Sequence, residues 1–301
     1  MQTELHTRFE PVEAALVTCA WHGIGAKAVA RLARDGFHTV VNYAGNAAAA
    51  ETAIARIRDA GSQATAMEAD VSDVAAVTSL FDRVSREAGD LTVLVINAGV
   101  QKTNTLAEGP VEEFDILVGV TLKGSFNVLR EAARRLSSGW RIINLSSGTR
   151  IVLQPRYGVY AATKVGVKEL TAIAAKEMRG RGVTVNAIAP GPVATELLLA
   201  GKTPEQIEHA AKQPPLERLG EPHNRRHLLP RRPGWRLGQR PNASFQRRLR
   251  LSEGATKPNL NWISSWLFYP PRNAARRSSL ADPVASAPQW PSAWRTTAWR
   301  S

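Results

Sequence analysis

Between Arg141 and Lys164 the chain reads R-I-I-N-L-S-S-G-T-R-I-V-L-Q-P-R-Y-G-V-Y-A-A-T-K. Three residue types in this stretch can act together on a carbonyl oxygen. If Tyr160 opens a helix, Lys164 stands one turn on and faces the same side. A phenol ordinarily keeps its proton to about pH 10, and a cation beside it favours the phenolate. That predicts a tyrosine brought toward the working range of a general acid/base. A serine hydroxyl at the end of the preceding apolar run, Ser146 or Ser147, could hydrogen-bond a carbonyl that is being reduced. Tyr157 is set aside, because Ala161 stands four positions after it.

The pair needs support from the rest of the chain. Four tyrosines and nine lysines in 301 residues give a Tyr-x-x-x-Lys pair by chance in about one chain of eight. An amphipathic helix with one aromatic and one solvated lysine would carry it equally well.

The elements that must position these residues alternate regularly. Apolar runs at 14–18, 38–43, 64–69, 92–96, 140–145 and 184–188 read as buried strands. Helical patterns at 26–35, 47–60, 74–87, 111–135 and 160–179 lie between them. Strand–helix alternation with continuously apolar strands predicts an α/β fold, a doubly wound parallel sheet with helices on both faces. Its ligand crevice should open at the C-terminal ends of the strands.

Composition narrows the class. Hydrophobic residues make up 44% of the chain, enough for a globular core, and no apolar run is long enough to span a membrane. The first residues lack the basic and apolar regions of a secretory signal. One cysteine excludes an internal disulfide, so a cytoplasmic protein is expected. No metal-ligand cluster is expected. The net charge of +13 is unevenly placed: residues 1–220 hold 24 Lys+Arg against 23 Asp+Glu, and residues 221–301 hold 15 against 3. The first segment is therefore an ordinary near-neutral domain.

The junction after the first strand is T-C-A-W-H-G-I-G, residues 18–25. A glycine-containing turn opening a helix brings backbone N–H groups against a pyrophosphate. Together with Ser147, Tyr160 and Lys164, this chain resembles the short-chain dehydrogenase/reductase family, classical type, and is similar to 3-oxoacyl-[acyl-carrier-protein] reductases and related NADP-dependent carbonyl reductases. The family keeps its serine thirteen positions before the tyrosine, which selects Ser147 over Ser146. Its turn reads T-G-x-x-x-G-x-G, and Thr18, Gly23, Ile24 and Gly25 fit that pattern, with Cys19 in place of the first glycine. If φ is positive there, a side chain costs about 1–2 kcal/mol.

Further matches follow in order, each after its strand. Asp70-Val71 resembles the pair whose aspartate contacts adenine. Asn97-Ala98-Gly99 resembles the N-N-A-G turn, and Pro190-Gly191-Pro192-Val193-Ala194-Thr195 resembles the loop that meets the nicotinamide carboxamide. Asn42-Tyr43 at the end of the second strand carries no acid to hold a ribose 2′-OH. His22 stands where NADP-preferring relatives often have arginine. The resemblance therefore implies a cofactor site for NADP(H) rather than NAD(H), built from these residues with Tyr160 and Lys164. The implied activity is hydride transfer between NADP(H) and a carbonyl/secondary alcohol pair (3-oxoacyl, ketone or sugar-like). Ser147 would polarise the carbonyl, Tyr160 would donate the proton, and Lys164 would bind the ribose. Thr121 occupies the position of an asparagine that holds a relay water in relatives, which implies slower turnover. Gln101 and Gln154 are expected to line the substrate pocket.

The resemblance covers residues 13–222, between an N-terminal tail (1–12) and a segment of another kind. Six of eight tryptophans and ten of eighteen prolines lie in residues 221–301, with no sustained period. Permitted codons for residues 224–251, read one base on, can spell T-A-A-I-S-F-L-A-G-P-D-G-G-W-V-N-G-Q-T-L-R-S-N-G-G-F-V, the ending the family implies. A shifted coding frame is therefore expected, with the last strand of the sheet lost and the family's homotetramer not expected to form. The alternatives are a catalytically impaired cofactor-binding homologue, a disordered basic tail, and a nucleic-acid-binding tail whose binding would fall steeply with salt.

Overall fold

The computed structural model describes residues 13–135 and 137–222. The expected N-terminal tail (1–12) and the segment 223–301, with its shifted frame, lost strand and nucleic-acid reading, lie outside the described residues. Six strands form one parallel sheet: β1 (Glu13–Val17), β2 (His38–Tyr43), β3 (Ala64–Glu68), β4 (Asp90–Ile96), β5 (Arg141–Leu145) and β6 (Thr184–Ile188), in the order β3-β2-β1-β4-β5-β6. The order reverses between β1 and β4, which pair from Glu13↔Asp90 to Val17↔Val95 with one register shift at Ala14/Ala15. Two crossovers leave β1 and β4 in opposite directions, so a crevice opens at their C-terminal ends.

The strands are apolar on both sides because both faces are covered. On one face Leu16, Leu94, Ile96 and Ile142 pack with Leu80, Phe81 and Val128 from α3 (Val74–Glu87) and α5 (Gly124–Arg135). On the other, Val17, Val41, Val95 and Ile143 pack with Val29, Leu32 and Ile54 from α1 (Gly23–Arg34) and α2 (Ala47–Asp59). Each such side chain fully removed from water contributes about 1.5–3 kcal/mol before entropy is counted. Among the described residues, no helix is long and apolar enough to cross a membrane.

The helix predicted over 111–135 is interrupted. α4 (Val111–Leu117) runs into a π-helical stretch at Val118–Lys123 before α5 begins. A wider turn leaves backbone groups to be satisfied otherwise. Ser125 does so by donating to the Thr121 carbonyl at 2.6 Å. Between β5 and β6, a short α6 (Thr149–Val152) precedes the long α7 (Gly158–Glu177). The segment after β6 contains α8 (Glu196–Leu199) and α9 (Pro204–Lys212), the latter opened by a capping box from Thr203 and Gln206.

Candidate active site

The β1–α1 turn is tied to the end of β4 by one buried threonine. Thr18 Oγ1 accepts from the backbone N–H groups of Asn97 and Ala98, both at 2.9 Å. The Asn97 amide donates back to the carbonyls of Thr18 and Cys19 at 3.1 and 2.9 Å. A Cβ on Gly25 would lie 2.6 Å from both Asn97 Nδ2 and the Cys19 carbonyl oxygen, so only glycine lets the helix start this close. Gly23 takes φ +53°. The first N–H groups of α1 have no acceptor within the helix, which makes this turn a cradle for an anion. The residues present therefore fit a dinucleotide pyrophosphate.

Cys19 adopts φ +50°, the left-handed region that favours glycine. Burial pushes its thiol up from the ordinary value. The expected strain gives a direct prediction. Cys19→Gly should raise stability by about 0.5–1 kcal/mol after the extra chain entropy of glycine is counted. Chemical denaturation would check it, with Cys19→Ala as control. An equal gain in the alanine variant would assign the effect to the thiol and not to the backbone.

Asn42 stands at the C-terminal end of β2, with its side chain turned into the fold. It is 2% exposed, and its amide donates to the Ala69 and Met67 carbonyls at 3.0 and 3.3 Å. Its oxygen accepts from Cys19 N at 3.4 Å. The side chain stitches β2 to β3 and to the glycine turn. Tyr43 is half-buried at the strand end. Asp70 is exposed beyond β3, its carboxylate accepting from Ser72 N at 2.8 Å. Val71 is buried, and its carbonyl accepts from Asn127. His22 is the N-cap of α1 and stacks with Trp21 at a ring separation of 3.9 Å.

At the other end of the crevice, the two serines after β5 have different tasks. Ser146 Oγ donates to the Lys164 carbonyl at 2.8 Å and is used up structurally. Ser147 Oγ accepts from Thr149 N and Thr149 Oγ1 at 3.2 and 2.9 Å, and it lines the same cavity as Tyr160. Tyr160 stands in the first turn of α7, 7% exposed. Lys164 is 5% exposed, and its ammonium donates to the Leu145 carbonyl at 2.8 Å. Burial pulls the Lys164 pKa down to about 8.

One expectation from the spacing is reversed. The tyrosine stands above its ordinary value, chiefly through burial; the Ser147 hydrogen bond opposes this and Tyr157 adds to the rise. The Lys164 nitrogen lies 5.9 Å from the Tyr160 ring centre while committed to the Leu145 carbonyl. Burial sets the direction for both the phenol and the ammonium in this arrangement.

Thr121, wholly buried, lies beside the lysine. A Cβ on Gly99 would be 3.2 Å from Lys164 Nζ and 3.5 Å from Thr121 Oγ1, so Gly99 leaves room for both. Thr121 Oγ1 accepts from Val100 N at 3.3 Å. The loop after β6 closes the site. Pro190 O accepts from Gly148 N at 2.8 Å, and Gly220 is hydrogen-bonded to Pro192 O and Ala194 N. Thr195 caps α8 and its side chain meets the position where a Cβ on Gly23 would stand.

A cavity of about 180 Å³ joins these parts. Its walls include Ser147, Tyr160, Lys164, Asn97, Ile24, Gly191, Val193 and Thr195 from the predicted set, with Gln101 and Gln154. Sequence reasoning missed Tyr157, Leu197, Leu198, Ala210 and Gln213, which also line it. Both leucines belong to the four-residue α8, which no strand–helix rhythm announces, whereas Tyr157 stands beside Tyr160 in sequence and lacks only the spaced lysine. Among the described residues no three His, Cys, Asp or Glu side chains gather where a metal could sit. A phenol and a hydroxyl converging on one point, above a buried ammonium, can hold and protonate a carbonyl oxygen.

The comparisons agree with this geometry. The sequence model of the short chain dehydrogenase family matches residues 13–205. An NADPH-dependent aldehyde reductase-like protein of Arabidopsis thaliana, described as chloroplastic, is 40% identical over 69% of this chain and 82% of its own length. The 3-oxoacyl-[acyl-carrier-protein] reductase FabG of Staphylococcus aureus is 38% identical over 69% of this chain and 85% of its own. The crystal structure of a short chain dehydrogenase from Burkholderia cenocepacia in complex with NADP shares 30% identity and a TM-score of 0.65, covering 69% and 85% of the two chains. The order of the strands, the glycine turn and the matched residues together make this chain an oxidoreductase of the short-chain dehydrogenase/reductase family.

Proposed function

We propose that the chain transfers a hydride between NADP(H) and a carbonyl/secondary alcohol pair (3-oxoacyl, ketone or sugar-like), with Ser147, Tyr160 and Lys164 as the catalytic residues. The observation that carries this reading is that Ser147, Tyr160 and the buried Lys164 line one cavity, at the end of the crevice into which the glycine turn opens. A bound NADPH supplies the hydride. The Ser147 hydroxyl donates to the substrate oxygen and fixes its direction. Tyr160 Oη gives that oxygen its proton as negative charge develops there. Lys164, charged below about pH 8, supports the phenolate left behind.

NADP(H) is favoured because β2 itself ends in Asn42-Tyr43 without the carboxylate that would hold a ribose 2′-OH and repel a 2′-phosphate. The NADPH-dependent relative and the NADP-bound structure support the same preference. Titration with NADPH and NADH, followed by turnover on a panel of ketones and 3-oxoacyl thioesters, tests the reading. Tighter NADPH binding and NADPH-dependent ketone loss are expected; equal or tighter NADH binding would overturn the preference.

Thr121 is proposed to limit the rate. A threonine in this pocket is already committed to Val100 N and has no amide to hold a water against the lysine. Thr121→Asn should raise kcat by up to about tenfold, measured at saturating NADPH in protein whose cofactor binding is intact. An unchanged or lower kcat would contradict a relay role for this position.

A further inference from the structure

The turn that carries Ser147 is pinned on both sides of that residue. Ser146 N donates to the Ile188 carbonyl and Ser146 Oγ to the Lys164 carbonyl, each at 2.8 Å. Gly148 N donates to the Pro190 carbonyl at 2.8 Å, and a Cβ on Gly148 would stand 3.0 Å from that same oxygen. The short α6 follows at once, with Ile151 N donating to the Gly148 carbonyl at 2.9 Å. Between these anchors Ser147 is 8% exposed and Thr149 half-buried, and both line the cavity with Tyr160.

A hydroxyl has one proton to donate and two lone pairs that accept. At Ser147 both acceptor positions are taken by one neighbour. Thr149 N–H donates at 3.2 Å, a direction that is fixed because a backbone amide nitrogen cannot accept. Thr149 Oγ1 donates at 2.9 Å, from a branched side chain with few rotamers. The proton is then the one hydrogen-bonding capacity left on Ser147 Oγ. A serine with a spare lone pair could accept from the Tyr160 phenol, and the two groups would satisfy each other. With both lone pairs filled, serine and phenol each keep a donor for one incoming oxygen.

We propose that Thr149 is a positioning residue that commits Ser147 to donating. By filling both acceptor positions of that hydroxyl, it leaves Ser147 a proton to offer and nothing with which to accept. The proposal rests on the carbonyl reading of this cavity. Thr149 gives no proton to the substrate in this account and acts through Ser147. Were the Ser147 proton turned onto Thr149 Oγ1 instead, none would remain for a carbonyl, and removing the threonine hydroxyl would free it.

The test uses Thr149→Val, which keeps the shape, and Thr149→Ala as a second variant without the hydroxyl. Thr149→Ser restores the donor, and Ser147→Ala is made with and without Thr149→Val. NADPH titration reports that each protein is folded with its cofactor turn intact. Loss of the Thr149 hydroxyl should lower kcat/KM for cyclohexanone reduction about tenfold, and Thr149→Ser should recover most of it. In the complex with NADP+ and carbonyl-labelled cyclohexanone no hydride can pass. There the infrared carbonyl band should stand at lower frequency in the wild type than in Thr149→Val. In the Ser147→Ala background, Thr149→Val should change neither readout. Unchanged or improved kcat/KM and an unchanged band in the hydroxyl-free variants would overturn the proposal. A Thr149→Ser variant no better than Thr149→Val, or a further loss in the Ser147→Ala background, would overturn it as well. A band that shifts as expected without turnover would instead contradict hydride transfer and leave the role of Thr149 standing. A wild-type complex that binds no ketone would overturn both.

Discussion

Replacing Tyr160 with phenylalanine is expected to lower kcat by about 10²–10⁴-fold while NADPH binding is retained. The substitution removes one oxygen and little else. The ring keeps its edge contact with Tyr157 and its place over the Lys164 ammonium, so α7 has no reason to shift. Ser147 remains able to donate a hydrogen bond to a carbonyl oxygen, through a hydroxyl already oriented by two contacts with Thr149. A neutral serine cannot replace the phenol as proton donor at neutral pH, because its own hydroxyl is far less acidic. Steady-state kinetics with a cofactor titration would separate the two effects. A loss of less than tenfold, with cofactor affinity intact, would remove Tyr160 from the role assigned to it.

Lys164→Met should reduce turnover by a similar order and should also change how stability depends on pH. Burial lowers the lysine from 10.5 to about 8, so the unfolded chain binds the extra proton between these values and the folded one does not. Stability therefore rises with pH from about 8 to about 10.5, and the cost of burying the charge is fully present below about 8. At about 1.4 kcal/mol per pH unit, the whole effect is about 3 kcal/mol. The methionine variant lacks this contribution. Denaturation of both proteins across that range should show the wild type gaining on the variant as pH rises. A constant difference would mean that the ammonium is solvated in the folded protein, and a falling one would mean that it has gained an anionic partner.

The sheet was legible because its signal is repeated. Six apolar runs at regular spacing mark the strands and their burial through the same physics, and β2, α3 and β6 begin and end as their patterns predict. The order of short motifs, each at a strand end, was legible for the same reason. Interactions set by three-dimensional neighbours were not. Asn42 stands in sequence at a strand end expected to meet the cofactor, and no pattern shows that its buried amide donates to the Met67 and Ala69 carbonyls. The π-helical turn at Thr121 leaves no mark in a helical pattern that continues on either side. The spacing of Tyr160 and Lys164 fixes which face they share but says nothing about desolvation, which is the leading cause of the shift at each. Tyr157 lacks the spaced lysine that marks its neighbour, and its place on the cavity wall near Gln101, 56 positions away in the chain, is set by the fold.

The central claim is that Tyr160 and Ser147 assist reduction of a carbonyl compound by NADPH. Incubation with NADPH deuterated at the transferring position of its ring, followed by mass spectrometry of the alcohol formed from a simple ketone, tests it directly. The account predicts one deuterium on the carbinol carbon, formed by the wild type and nearly absent with Tyr160→Phe. NADPH that binds and leaves the ketone unlabelled and unreduced would contradict it.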